Sequence, residues 1–478
     1  MKGLHISLLI LFIIDIVFSF YQYYYIPLDG DLSAIIAPSP QFQKMMHDPF
    51  GMHALINHEM YMGSNRFFAH WTMKLYFESI PILFQHFTDP ITSIYLSCAF
   101  AKIITHLLLV ILAWYYCLEK PIIKSLHFIL FTLIISSFFQ TYGFHNTMAI
   151  IDTSITYHFF YAWPMCLLMV FYLPFIIRFY HNKHFQFSPI QQIFSYLLAL
   201  IMAFNGPLLP AIVTIISFII AMSLIWACLK NHEKNTFFNY FKLQISLIPK
   251  SFIFLYFFTI ITSIYSLYIG TFNIENLNLK LSILERYQKL PFGLFKILSE
   301  NLGWSLFIVF TCTNIYLARK INALSTYKMN RTIKYIGLFI LLYIALLPLG
   351  GYREYRPFIL RYDTLIPVTL IILMLNGTLI INNLHHINQQ YKKYYIGFLV
   401  FIVAALNISD SKIPKNNLCE KNALLNISNS NNDTLRLTND CTVMSWNKIK
   451  KSEALHLNSI FLKNVNVIQK DVIFYHYE

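Results

Sequence analysis

Apolar runs about as long as a bilayer is thick recur along the whole chain, and they constrain its fold more than any other feature. A helix needs about 20 apolar residues to cross the hydrocarbon core. That ruler marks about eleven runs, near 4–25, 91–117, 126–143, 157–179, 189–205, 207–229, 246–270, 302–318, 335–350, 359–381 and 394–409. Inside lipid a backbone must satisfy its own hydrogen bonds, which runs of this length do as helices. The expectation is an all-α polytopic membrane protein. Composition agrees: 12% of the residues are charged and 57% hydrophobic, whereas a soluble domain carries about 25% charged residues. The first run ends in tyrosines with no small-residue cleavage site nearby. It reads as a retained span and not as a removed signal peptide.

A net charge of +14 would suggest nucleic acid in a soluble protein. Here Lys and Arg collect in alternate short loops, among them those holding Lys120 and Lys124, Arg178 and Lys183, Arg319 and Lys320, and Lys392 and Lys393. The positive-inside rule makes those loops cytoplasmic. No nucleic-acid partner is implied. The N-terminus is expected inside, the C-terminus outside, and the setting is expected to be a bacterial inner membrane with the bilayer as a partner. Residues 1–408 then form the transmembrane domain, with 26–90 as the first outside loop. Residues 409–478 form a small polar outside appendage. Stretches such as "FFAHWTMKLYFESIPILFQHF" in the first loop read as amphipathic helices lying on the membrane surface. Of seven Cys, only Cys419 and Cys441 fall in the tail. An oxidising compartment would let them form a disulfide.

The outside loops hold the chemistry. Asp29 and Asp31, separated by Gly30, follow the first run directly. Asp-Gly-Asp is ordinarily a solvated turn. Here the surrounding loop is dense in ionisable and aromatic side chains, including Arg66 and His70, and an acid in such a place can serve as a general base. Neighbouring carboxylates can also share a divalent cation through oxygen ligands, which leaves a divalent metal open as a cofactor. The first-loop histidines match no zinc spacing. Asp152 and His158, in "GFHNTMAIIDTSITYHFFYAWP", are further candidates for an outer cavity.

A second constellation is "LGGYREYRPFILRYDTLIP", which breaks the charge rule by placing Arg353, Arg356 and Arg361 outside. One snorkelling arginine, with Arg361 paired to Asp363, is the ordinary explanation. Three guanidinium groups with Tyr362 suit a lipid-linked phosphate, which arginine binds in a bidentate, planar fashion. A third constellation lies within the membrane. Asp15 and Lys102 fall near the middle of the first two runs. Intramembrane charges usually pair, so an Asp15–Lys102 clamp is expected, with a proton or ion relay as the sharper alternative.

Asp29-Gly30-Asp31 in the first outside loop, surface helices after it, and Arg361-Tyr362-Asp363-Thr364-Leu365-Ile366-Pro367 at the start of a late span together resemble the GT-C-type membrane glycosyltransferases. That resemblance implies a catalytic role for Asp29 or Asp31 and a donor-facing role for Arg353, Arg356, Arg361 and Tyr362. It implies transfer of a sugar from a polyprenyl-phosphate donor to a glycan, lipid or protein acceptor on the outer face. Two alternatives stay open: a transporter or flippase for a lipid-linked or anionic solute, and an O-antigen polymerase or ligase. An enzyme should bring Asp29 and Arg361 together at the outer surface, whereas a transporter should place its charges near the midplane.

Overall fold

The structure is a computed structural model. It describes residues 2–477 except 119–121, 123, 124, 140–147, 149, 231–236, 279, 280, 301, 322–326, 351–357, 359, 414 and 455. The chain is 74% helical with almost no strand. Helix α1 is Lys2–Tyr24, and the first loop folds into α2 (Leu32–Ile36), α3 (Pro40–His47), α4 (Met52–Asn57) and α5 (Phe67–Phe84). Then come α6 (Pro90–Cys117), α7 (Leu126–Ser136), α8 (Ile155–Tyr180), α9 (Pro189–Ala203), α10 (Leu208–Lys230), α11 (Phe237–Ser246), α12 (Lys250–Gly270) and α13 (Ile283–Glu300). They are followed by α14 (Leu302–Lys320), α15 (Tyr327–Leu346), α16 (Ile366–His386) and α17 (Gln389–Ser409). The tail holds α18 (Leu418–Ser428), α19 (His456–Asn464) and two three-residue parallel strands, Thr434–Arg436 and Ile473–Tyr475.

Among the described residues nine helices are long and apolar enough to cross a membrane. Helices α7 and α9 are apolar but shorter. Sequence reasoning extended α9 to residue 205. The helix stops at Ala203, and Gly206 adopts φ +97° just before Pro207. Only a residue without Cβ enters that conformation freely, and the proline lacks the N–H needed to continue the helix.

Helices α6 and α16 form the enclosed centre. Helix α6 packs on α1, α5, α7, α8 and α16. Helix α1 instead exposes Leu9, Ile10, Ile13, Ile14 and Val17 on its outer flank, the pattern of a helix with a broad face toward lipid. Polar side chains join α14, α16 and α17 internally. Asn314 Nδ2 donates to Asn376 Oδ1 (2.8 Å), and the Tyr395 hydroxyl donates to Asn314 Oδ1 (2.8 Å). Asn314 and Asn376 on this contact, with Asn383 nearby, are all fully buried. Lipid supplies no hydrophobic force between helices, so such hydrogen bonds help to hold them together.

The tail does not stand apart as a separate appendage. Leu28, Leu32, Ile35 and Ile36 of the first loop, Phe77 of α5 and Ile94 of α6 share one hydrophobic cluster with Leu424, Ile427, Val443 and Phe461 of the tail. Glu420 is its polar centre. Its carboxylate accepts from Leu28 N–H (2.8 Å), the Tyr95 hydroxyl (2.7 Å) and Met444 N–H (2.9 Å). The first loop and the tail therefore occupy the same end of the bundle. Cys419 and Cys441 are joined by a disulfide, with Cα atoms 6.2 Å apart across a sequence separation of 22. Closing a loop of that length restricts the unfolded tail by about 3 kcal/mol in the chain-entropy treatment. The double variant Cys419→Ser/Cys441→Ser is expected to make the tail protease-sensitive at lower temperature while the spans stay intact. Equal resistance with and without reductant in the native protein would contradict this.

Candidate functional site

Asp29 is the best-connected carboxylate at the tail-bearing end. Oδ1 accepts from Asp31 N–H (3.0 Å), Leu32 N–H (3.1 Å) and the Thr156 hydroxyl (2.8 Å). Oδ2 accepts from the Ser154 hydroxyl (2.7 Å) and Thr156 N–H (2.9 Å). The residue is 5% exposed. Five donors engage its two oxygens and hold the side chain in place. Asp29 ties the exit of α1 to the first turn of α8. Asp31 precedes α2, and its side chain does not cap that helix.

Gly30, between the two acids, is required by close approach. A Cβ there would lie 2.7 Å from both the backbone N and Cδ1 of Trp446. Trp446 in turn stacks on Tyr157 of α8, ring centroids 5.7 Å apart. Gly30→Ala is expected to destabilise this docking by about 1–3 kcal/mol, the usual result of overpacking. Limited proteolysis around Trp446 is the check. Unchanged cleavage would mean that the contact is looser than its geometry.

Helix α8 carries the neighbouring groups. Its first turn is followed by a π-helical turn over His158–Ala162, next to Pro164. A missing proline N–H and a widened turn are common companions, and such turns often lie at functional sites. Asp152, just before the helix, is partly buried and accepts from Ser154 N–H (2.7 Å). Burial, joined by the nearby carboxylates of Asp363 and Asp29, pushes its carboxyl up to about 6 against the opposing Ser154 N–H and the Lys102 ammonium. Tyr161 accepts from Arg361 Nη2 (3.2 Å), and the same guanidinium nitrogen pairs with Asp363 Oδ2 (3.1 Å). Asp363 Oδ1 accepts from Thr364 N–H (2.7 Å), which fixes the entry into α16.

Asp29, Asp152, Arg361 and Asp363 thus meet where α8 and α16 begin. Tyr362 is partly buried beside them. Arg353 and Arg356 lie outside the described residues, as do His145 and Asn146. Arg66 and His70 sit at the start of α5. His70 lies between the rings of Phe42 (4.8 Å) and Phe160 (4.9 Å), and its Nδ1 is 3.1 Å from the Arg66 carbonyl. Burial pushes its imidazole down to about 4, so it is neutral. Among the described residues no group of three His, Cys, Asp or Glu side chains is arranged to hold a metal ion.

The expected Asp15–Lys102 pair does not form. Lys102 is buried and donates to the Thr153 carbonyl. Asp15 instead accepts from the Ser136 hydroxyl. Side chains on a helix lean toward its N-terminus. The N-terminus of α6 is at the tail-bearing end and that of α1 is at the opposite end, so the two side chains diverge. Asp15 ends a buried polar chain. The Tyr23 hydroxyl lies 3.2 Å from His106 Nδ1, His106 Nε2 lies 3.0 Å from Ser136 Oγ, and Ser136 reaches Asp15.

Sequence reasoning passed over Ser154, just before α8, and Thr156 in its first turn, whose two hydroxyls and the Thr156 N–H hold Asp29. Both are common helix-start residues, and "DTSIT" carries the usual capping signal, which names a helix start but not a distant carboxylate. No family model matches the chain, and no curated protein or solved structure matches it either.

Proposed function

We propose that the protein is a membrane glycosyltransferase that moves a sugar from a polyprenyl-phosphate donor to an acceptor hydroxyl on the outer face. The observation that carries this reading is the meeting of Asp152, Asp29 and the Arg361–Asp363 pair at the starts of α8 and α16. In this reading about eleven crossings are made, α7 and α9 included. The N-terminus is cytoplasmic, the tail is outside, and the first-loop helices lie along the outer surface of a bacterial inner membrane.

Asp152 is the general base and Asp29 a positioning residue. A base with a pKa near the working pH is the most effective kind, and Asp152 is raised into that range while Asp29 is saturated with donors. The acceptor oxygen attacks the anomeric carbon as its proton passes to the Asp152 carboxylate. The anomeric carbon–oxygen bond to phosphate breaks, and its electron pair leaves with the phosphate. The transition state is oxocarbenium-like, as in other glycosyl transfers. The leaving phosphate needs positive charge more than a proton. The test is transfer from a panel of radiolabelled polyprenyl-phosphate sugars to outer-envelope acceptors by the purified protein in lipid. Absence of transfer with every donor would sink the reading.

A second reading, a transporter for a lipid-linked or anionic solute, draws on the Tyr23–His106–Ser136–Asp15 chain, because intramembrane ionisable groups often serve ion pathways. Solute uptake into proteoliposomes, abolished by Asp15→Asn, would favour it.

A further inference from the structure

The start of α5 gathers polar groups that the reaction above does not use. Two backbone hydrogen bonds tie it to the turn between α9 and α10. Gly206 N–H donates to the Asn65 carbonyl (2.9 Å), and Phe68 N–H donates to the Phe204 carbonyl (3.1 Å). Asn205 lies between these two bonds, opposite Arg66 and Phe67. Its side chain is 2% exposed, yet neither its Nδ2 nor its Oδ1 has a hydrogen-bond partner. Buried polar groups are overwhelmingly hydrogen-bonded, and one left unpaired calls for an explanation.

Arg66 is the second part. Its stem runs between two glycines of positive φ. A Cβ on Gly206 (φ +97°) would lie 3.6 Å from Arg66 Cγ, and one on Gly63 (φ +71°) would lie 3.7 Å from Arg66 Cβ. Among the described residues, no hydrogen bond or ion pair engages the Arg66 guanidinium. Arg361, by contrast, already serves Asp363 and Tyr161. The positive end of the 18-residue helix α5 lies at the same place.

We propose that Arg66 and Asn205, at the start of α5, form a binding site for a phosphate group. The guanidinium supplies a bidentate contact to two phosphate oxygens. Asn205 Nδ2 donates to a third, and its Oδ1 accepts from a hydroxyl of the esterified group. The proposal rests on the glycosyltransferase reading, in which this phosphate is the donor's. It moves phosphate recognition from the paired Arg361 to the unpaired Arg66.

The experiment measures binding and thermal shift of the full-length protein in detergent with three probes: a polyprenyl monophosphate, the same polyprenol without phosphate, and inorganic phosphate. The polyprenyl phosphate is expected to bind and raise Tm, while the polyprenol does neither. Arg66→Gln should weaken binding by about tenfold or more, the loss of a charged hydrogen-bonding partner, with an unchanged elution profile. Asn205→Leu should weaken binding yet raise Tm of the unliganded protein, because it removes a buried amide without partners. Inorganic phosphate binding as tightly as the lipid, and lost in Arg66→Gln, would support the site and identify its ligand as a free anion. Equal binding of polyprenol and polyprenyl phosphate, or wild-type binding by both variants, would overturn it. Asp152→Asn separates the two ideas: it should keep phosphate binding and lose transfer. Phosphate binding through Arg66 in a protein that transfers no sugar would leave the site standing and remove the glycosyltransferase reading.

Discussion

Asp152→Asn is expected to lower sugar transfer by about a hundred- to ten-thousand-fold, the usual consequence of losing a general base. The amide is nearly the same size as the carboxylate but cannot take the acceptor's proton. It can still accept from Ser154 N–H through its oxygen, so the first turn of α8 should persist. The native enzyme should show the matching pH dependence. A base acts only when ionised, and burial holds this carboxyl at about 6. The kcat/KM profile should therefore rise as pH increases through about 6 and level off above it. Asp29→Asn should behave differently. Its loss disturbs five hydrogen bonds, three of them between the first loop and the start of α8, so Tm should fall along with activity. Normal transfer by Asp152→Asn, or a profile flat between about pH 5 and 7, would remove Asp152 from the chemistry.

The second large effect concerns the union of tail and first loop. At about pH 8 Glu420→Gln is expected to loosen the tail by several kcal/mol. Three donors converge on this carboxylate, two on Oε2 and one on Oε1. A glutamine offers one oxygen in place of two. Whichever way its amide turns, an NH2 group faces at least one of Leu28 N–H, Tyr95 O–H or Met444 N–H. Leaving a buried donor unsatisfied costs about 1–3 kcal/mol, and opposing donors add to that. Hydrogen exchange should show early opening of α18 and the Met444 turn while α6 and α16 stay protected. Because Trp446 sits against Gly30 and Tyr157, transfer activity should fall with docking. A variant that exchanges like the native tail would show that the apolar cluster alone holds it.

The membrane-spanning helical architecture was legible in the sequence, because span length and apolar composition follow from bilayer thickness and backbone hydrogen bonding. Local pairings were legible too. Arg361 and Asp363 are two residues apart, and they pair. Cys419 and Cys441 are the two tail cysteines, and they are joined. Both pairings depend on neighbours in sequence or on a short list of candidates.

Other features were decided by tertiary structure. Asp29 takes its α8 donors from residues more than 120 positions away, so its saturation, and with it the preference for Asp152, could not be read from the Asp-Gly-Asp motif. In the sequence Asn205 merely ends the apolar run that precedes the α9–α10 turn. Only the packing of that turn on α5 buries its amide without a partner and sets it opposite Arg66. The Asp15–Lys102 clamp failed for a directional reason. Position along a span says how deep a residue sits, but its side chain leans toward the start of its own helix. Antiparallel α1 and α6 therefore send these two charges toward opposite ends of the bundle, one to Ser136 and the other to the Thr153 carbonyl.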